Sequence, residues 1–394
     1  MSNVFIIDAV RTPVGSLNGV FAEYSAVELA TNLVKELLKR HPEIEPEQID
    51  EVVLGEVLTA GLGQNPSRQV AIRSGIPQTI PAYTVNMVCG SGMKSIELAW
   101  QRIKMGNAKI IFAGGMENMS QAPYLLKNLR RGARMGDTAA VDSMIFDGLW
   151  DIFNQYHMGI TAENVAERFE VSREAQDQFA YESQMKCAKA YEKSLFKSEI
   201  VPITIETKKG PLVIDKDEHP RPDTNLEKLS KLKPAFKPNG TVTAGNASGI
   251  NDGSAILILV AEDILPKVKP MFNPVRVVDI QAMGCDPAFM GLGPIFATKK
   301  LLEKNQLKVD DIDLWELNEA FSAQSIPCIQ QIGMNPEIVN VNGGAIALGH
   351  PIGCSGARIT TTLIYEMQRR KSKKGIATMC IGGGMGISGL FEAS

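Results

Sequence analysis

Histidine is scarce in this chain, with four copies in 394 residues (His41, His157, His219 and His350), and the six cysteines (89, 187, 285, 328, 354 and 380) lie far apart. There is no Cys-x-x-Cys pair and no histidine cluster, so neither a disulfide framework nor a structural zinc site is supported. Reduced thiols in a cytoplasmic compartment fit that usage. No apolar run approaches the ~18 residues that span a bilayer. The start, Ser2-Asn3-Val4-Phe5-Ile6-Ile7-Asp8, lacks a basic segment and its apolar run ends at Asp8, so no signal peptide is expected. The formal net charge is -3, with no basic arm, which argues against a dedicated nucleic-acid binder. The densest basic stretch, 127–134, reads as a solvated loop face. No Walker A pattern occurs. Gly384-Met385-Gly386-Ile387-Ser388-Gly389 matches G-x-G-x-x-G, but only five residues follow it, too few for a βαβ unit.

What remains is an ordinary globular composition, 44% hydrophobic and 22% charged, long enough for two or three domain-sized units. Short β-branched runs alternate with helical patterns, an α/β signature. Strands are expected at 4–8, 51–57, 109–113 and 255–260. A helix is expected over 25–40, opened by a Ser25/Glu28 capping box. From 118 to 249 the texture changes, with more Met, Pro and charge, two helical stretches (161–169 and 172–194) and otherwise loop. An insertion of that length is usually functional.

The second half echoes the first. Phe5-Ile6-Ile7-Asp8 is answered by Val277-Val278-Asp279-Ile280, and Ile49-Asp50 by Ile312-Asp313. Cys89-Gly90-Ser91-Gly92 is answered by Gly353-Cys354-Ser355-Gly356, and Ala113-Gly114-Gly115-Met116 by Gly382-Gly383-Gly384-Met385. Four echoes in order imply a duplicated α/β unit. The division expected is 1–117 as one half, completed by 250–270, a loop domain over 118–249, and a second half over 271–394. Two such halves would bring their glycine turns, and with them Cys89, to a shared pseudo-twofold axis.

Cys89 follows a β-type segment (83–88) and opens a helix running to about Met105. The free N–H groups and dipole there favour a thiolate, and flanking glycines would leave the sulfur open to substrate. A buried structural cysteine is an equally good reading of this segment alone. In the second half, Asn318 and Cys380 lie at strand ends and His350 in a glycine-rich turn. His350 is placed to serve as a base for Cys89 and Cys380 as a second proton acceptor. Backbone N–H groups of Cys89 and Gly382, with the Asn318 and His350 side chains, are candidate oxyanion donors. His41 and His219 read as exposed loop residues. Cys187, Cys285, Cys328 and Cys354 read as structural.

The Cys89-Gly-Ser-Gly turn, Asn318-Glu319-Ala320-Phe321, Gly349-His350-Pro351-Ile352-Gly353 and Cys380-Ile381-Gly382-Gly383-Gly384 together resemble the thiolases. The likeness runs through the whole chain in family order, including Arg11-Thr12-Pro13 and the 240–249 stretch, and is closest to the biosynthetic, acetyl-CoA-condensing branch. It implies a five-layered αβαβα fold and a ping-pong Claisen condensation of two acetyl-CoA to acetoacetyl-CoA and CoA. Cys89 would carry the acetyl group, His350 would activate it, and Cys380 would deprotonate the second acetyl-CoA. A water held by Asn318 would form one oxyanion hole with His350; Cys89 and Gly382 N–H groups would form the other. It further implies CoA contacts at Ser248 and Arg221, with Lys228 where the family often has serine, and an acyl pocket narrowed by His157, Met158 and Met290 beside Ala320 and Phe321. No metal or redox cofactor is implied, and a homotetramer (a dimer of dimers) is. The competing readings are a degradative 3-ketoacyl-CoA thiolase, a decarboxylating ketoacyl synthase, a cysteine hydrolase and a silent acyl-CoA or lipid carrier.

Overall fold

The computed structural model describes residues 2–208 and 210–394. The main elements of the first half are β1 (Val4–Arg11), α1 (Ala26–Arg40), β2 (Glu51–Gly55), β3 (Ala82–Val85), α2 (Ser91–Lys104) and β4 (Ile110–Asn118). After the middle segment, with α3 (Met158–Arg168) and α4 (Arg173–Glu192), come β5 (Asn251–Ala261), β6 (Val275–Gly284), α5 (Gly293–Lys304), β7 (Leu314–Leu317), α6 (Ser322–Ile332), α7 (Ser355–Arg370), β8 (Lys374–Ile381) and β9 (Met385–Ala393). The Ser25 cap of α1 forms as expected: the Glu28 N–H donates to the Ser25 hydroxyl at 3.2 Å and the Ser25 N–H to the Glu28 carboxylate at 2.8 Å.

The strands run β7-β8-β9-β6-β1-β5-β4-β2-β3 across one ten-stranded sheet, with Gly15–Ser16 paired beside β5. Only two residue pairs, Phe5 with Arg276 and Ile6 with Val275, join β1 to β6. The sheet is therefore two half-sheets meeting at a narrow seam. In each half the inner strands pair antiparallel and the outer ones parallel. A bridge from Trp315 to Val339 stands in the second half where β3 stands in the first.

Three apolar clusters make the layers. The central one packs α2 and α7 (Met93, Ile96, Ile359, Leu363) between the inner faces of both half-sheets (Val53, Leu257, Met379, Phe391). One outer cluster lies under α1, around Leu33, Val34 and Leu37, and the other under α5 and α6, around Leu301, Trp315 and Ile329. This is the five-layered αβαβα arrangement. The strands buried on both faces explain the continuous apolar runs of β1, β4 and β5.

The duplication extends to single hydrogen bonds. The register of β1 shifts between Ile6 and Asp8, and that of β6 between Val277 and Asp279. Each shifted aspartate then binds the C-cap residue of the following helix: Asp8 meets His41 at 3.2 Å and Asp279 meets Asn305 at 3.1 Å. Asp50 accepts the Lys109 and Ile110 N–H groups, and Asp313 accepts those of Lys373 and Lys374.

Two expectations fail here. His41 is fully buried between Asp8 and Glu43 rather than exposed. The 118–249 segment is more structured than a loop, with a hairpin of Ile203–Thr207 and Gly210–Ile214 and a short helix Leu226–Ser230. The Asp8 partner of His41 lies 33 residues away, which local patterning does not display.

Candidate active site

β3 ends at Val85, and the chain then turns rather than continuing as a strand to Val88. Val88 sits at φ +47, a left-handed conformation costly for a β-branched residue. The turn is held by the Val88 N–H donating to Asn86 Oδ1 at 2.9 Å and by Ser91, whose hydroxyl donates to the Val88 carbonyl at 2.6 Å and accepts the Met87 N–H at 2.9 Å. It presents Cys89, half-buried, just ahead of α2.

The glycines beside Cys89 serve the other half rather than the substrate. A Cβ on Gly92 would lie 2.8 Å from the Ala357 nitrogen, and one on Gly356 would lie 2.4 Å from the Met93 nitrogen. α2 and α7 thus cross backbone to backbone at their first turns. This crossing brings Cys89 to the second half.

There, Asn318 follows β7, its N–H bound to the Thr378 carbonyl at 2.9 Å. Its side-chain Nδ2 lies 3.5 Å from His350 Nε2. The His350 N–H donates to Asn251 Oδ1 at 2.9 Å, and Nδ1 lies 2.5 Å from the Ser355 hydroxyl. That hydroxyl donates to the Pro351 carbonyl at 2.8 Å. Its one hydrogen is thereby used, so Nδ1 carries the imidazole proton and Nε2 keeps the lone pair. Cys380 lies buried near the end of β8. The Gly382 N–H donates to the Cys89 sulfur. Gly382, Gly383 and Gly384 make the three-residue turn from β8 into β9, and Gly383 and Gly384 take φ +85 and +84, left-handed conformations that glycine adopts without steric cost.

Cys89, His350, Cys380 and Gly382 line one cavity of about 460 Å³. Its walls include His157, Met158, Met290, Ala320, Phe321 and Ser248, and Arg221 extends it towards solvent. Lys228 lies apart: its ammonium binds Asp223 at 2.7 Å, and it lines an adjoining cavity that shares His219 and Arg221 with the first. Asn318 stands behind His350 rather than on the wall.

Phe236 and His219 are among the wall residues that escaped the sequence reading. Phe236 stacks on His157 at 4.8 Å and meets the Phe321 ring edge-on at 6.2 Å. Gly159 makes room for it, since a Cβ there would fall 2.1 Å from the Phe236 ring. His219 is half-buried on the wall, not solvated, and burial together with Arg221 holds its imidazole down at about 4. The Arg11 of Arg11-Thr12-Pro13 fixes the segment that carries it. Its guanidinium binds Glu199 at 2.6 Å and Asp217 at 2.7 and 3.0 Å, two residues before His219.

The electrostatics reverse the thiolate expectation. Burial pushes the Cys89 thiol up to about 11 despite the N–H groups of Gly382 and Cys89 itself, and burial holds His350 down at about 3. Cys380 is raised further still, by burial and then by Cys89. Desolvation outweighs the helix terminus here. Near neutral pH the two therefore rest as thiol and imidazole.

A buried cysteine, a lone-pair-bearing histidine and a second thiol at the crossing of two repeated halves define a thiolase site. Residues 4–263 match the family model described as Thiolase, N-terminal domain, and residues 272–393 match Thiolase, C-terminal domain. The chain belongs to the thiolase family. It is 52% identical over 98% of both chains to an acetyl-CoA acetyltransferase of Allochromatium vinosum, and 51% identical, again over 98% of both, to one of Pseudomonas aeruginosa. A probable acetyl-CoA acyltransferase of Staphylococcus epidermidis is 50% identical over 98% of both. The crystal structure of the Bacillus anthracis acetyl-CoA acetyltransferase superposes with a TM-score of 0.96 at 44% identity, covering 100% of this chain and 99% of that one. No helix among the described residues is long and apolar enough to cross a membrane.

Proposed function

We propose that this chain is an acetyl-CoA C-acetyltransferase, condensing two acetyl-CoA to acetoacetyl-CoA and CoA and running the reverse cleavage at the same site. The observation that carries the reading is the convergence of Cys89, His350 and Cys380 on one cavity with the Gly382 N–H on the Cys89 sulfur. In the first half-reaction Cys89 Sγ attacks the thioester carbon as its proton passes to His350 Nε2. The Cys89 and Gly382 N–H groups hold the oxyanion of the tetrahedral adduct. The C–S bond to CoA breaks, and Cys380 gives its thiol proton to the departing thiolate, leaving a Cys380 thiolate while His350 keeps the proton from Cys89. In the second, the Cys380 thiolate removes the α-proton of another acetyl-CoA while the protonated Nε2 of His350 and a water held by Asn318 bind its enolate oxygen. The carbanion attacks acetyl-Cys89, and the expelled Cys89 thiolate takes its proton back from His350 as acetoacetyl-CoA forms.

Every proton and acyl group is carried by Cys89, His350 and Cys380, so CoA thioesters enter as substrates and no cofactor is assigned. Ser248 and Arg221 serve the CoA chain, with Lys228 and its adjoining cavity further out. His157, Met158, Met290, Ala320 and Phe321 bound the acyl end, and the Phe236–His157 stack favours short acyl groups over the longer chains of degradative thiolases. The working form is a cytoplasmic homotetramer. Incubation with labelled acetyl-CoA tests the reading. Label is expected on the Cys89 peptide, lost in Cys89→Ala, and retained in Cys380→Ala, whose condensation rate falls about 10²–10⁴-fold. Label that survives loss of Cys89 overturns it.

A further inference from the structure

Two buried carboxyl groups, Glu56 and Glu117, lie beneath the site and take no part in the reaction as written. Both side chains are fully buried. Their surroundings differ sharply. Glu117, on β4, accepts three backbone N–H groups: Val57 at 3.1 Å, Leu58 at 3.1 Å and Gly353 at 2.8 Å. Glu56, just after β2, has no hydrogen-bond partner on either carboxyl oxygen among the described residues. Three donors aimed at one carboxylate stabilise its ionised form, whereas a bare buried carboxyl beside it is far cheaper as the neutral acid.

The three donors belong to both halves. Val57 and Leu58 follow β2, and Gly353 ends the turn that begins at His350. Gly353 sits so close that a Cβ would lie 2.7 Å from Glu117 Oε2 and 2.8 Å from Glu56 Cα. Val57, Leu58 and Ile352 pack in one apolar cluster against Cys89. The Glu117 carboxylate therefore ties the His350 turn to the floor on which Cys89 rests.

We propose that Glu117 is a positioning residue for acyl transfer, an ionised carboxylate that sets the His350 turn against Cys89 and adds to the burial that keeps the sulfur protonated until a thioester is bound, with Glu56 beside it as the neutral acid. This rests on the acyl-transfer reading above. Charge supports it as well as geometry: burial lifts Glu117 only to about 7 because its N–H donors oppose the rise, burial and Glu117 lift Glu56 well above its ordinary value, and Glu117 in turn raises Cys89. The titratable groups around Glu117 are Asp252 on β5, which raises it, and Glu56 after β2, Cys89 ahead of α2 and Cys354 just before α7, each of which it raises.

The test is the pH profile of Cys89 alkylation by iodoacetamide, measured beside kcat and KM for acetoacetyl-CoA cleavage. E117Q removes the charge and offers an amide donor to three donors. Its kcat is expected to fall about 100-fold with KM within threefold, while its alkylation profile moves about one unit towards acid. E117D keeps the charge and shortens the reach. It is expected to lose kcat without the acid shift, and it carries the test should E117Q not fold. E56Q mimics the neutral acid and is expected to stay within about twofold in all three measures. A merely structural role would lower folded yield without moving the alkylation profile. An unshifted profile in E117Q, an acid shift in E117D, or an E56Q loss matching that of E117Q overturns the proposal. Acetyl label on Cys89 in the parent enzyme shows separately whether the acyl-transfer reading stands.

Discussion

Burial leaves the reacting groups at Cys89 and His350 uncharged, which sets their pH behaviour. With the thiol near 11 and the imidazole near 3, no thiolate–imidazolium pair accumulates between those values. Iodoacetamide, which draws on free thiolate, is expected to alkylate Cys89 about tenfold faster per pH unit from 7 to 10, without a plateau below pH 9. A plateau beginning near pH 6 would show a preformed ion pair. Met290, 4% exposed on the cavity wall, bears on substrate size. Met290→Ala is expected to raise cleavage of 3-ketohexanoyl-CoA relative to acetoacetyl-CoA about tenfold, by relieving one overlap in an apolar pocket. The ratio of the two kcat/KM values checks it. At this scale the proposed reacting residues, which share one cavity, stood out because scarce types lay in glycine-rich turns. Phe236 and His219 were not, since each reaches the cavity from the middle segment by packing that no local pattern records. The sign of the Cys89 shift was misread for a related reason: a helix start is visible in sequence, and the depth of its burial is not.

Elements meet most closely where α2 crosses α7. A methyl at Gly92 or Gly356 would press on backbone atoms of the opposing helix, and backbone cannot swing aside. Gly92→Ala and Gly356→Ala are each expected to destabilise by about 1–3 kcal/mol or more, the ordinary cost of overpacking. Each should also slow Cys89 acetylation, because the crossing sets the distance between Cys89 and the second half. Normal acetylation in a destabilised variant would separate the two effects and refute the second. The β1–α1 link gives a pH-dependent case. Burial opposes protonation of His41, but Asp8 and Glu43 outweigh it, and the net shift is upward. Its contribution to stability is then complete below the ordinary histidine value of about 6.5 and is lost as pH rises through the raised folded value. Asp8→Ala, leaving a buried imidazole unpaired, is expected to cost about 3 kcal/mol at pH 6 and less at pH 9, read from urea unfolding midpoints. The helices α1 and α2 were legible from capping and periodicity. The Asp8–His41 clamp was not, because it joins a strand shift to a helix end 33 residues on.

Across the whole molecule, the proposed active site lies where the two halves meet. Cys89 comes from the first half, and Asn318, His350 and Cys380 come from the second. The central cluster that holds them draws Met93, Ile96 and Val53 from one side and Ile359, Leu363 and Met379 from the other. The duplication was legible as four ordered echoes because both copies keep the same turns and the same aspartates. The extent of the shared layer was not, since helices and strands buried on every side carry no polar stripe to mark an outside. Split between 268 and 271, the chain loses the covalent link but no residue placed in the cavity. Residues 271–394 alone would expose the inner faces of β8, β9 and α7 to water. That fragment is expected to bind a hydrophobic dye and to show no cooperative unfolding. Co-expressed with residues 1–270, it is expected to re-form the central layer and restore acetylation of Cys89. A sharp unfolding transition in 271–394 by itself would show that each half holds its own core, and that the central cluster joins finished domains rather than making them.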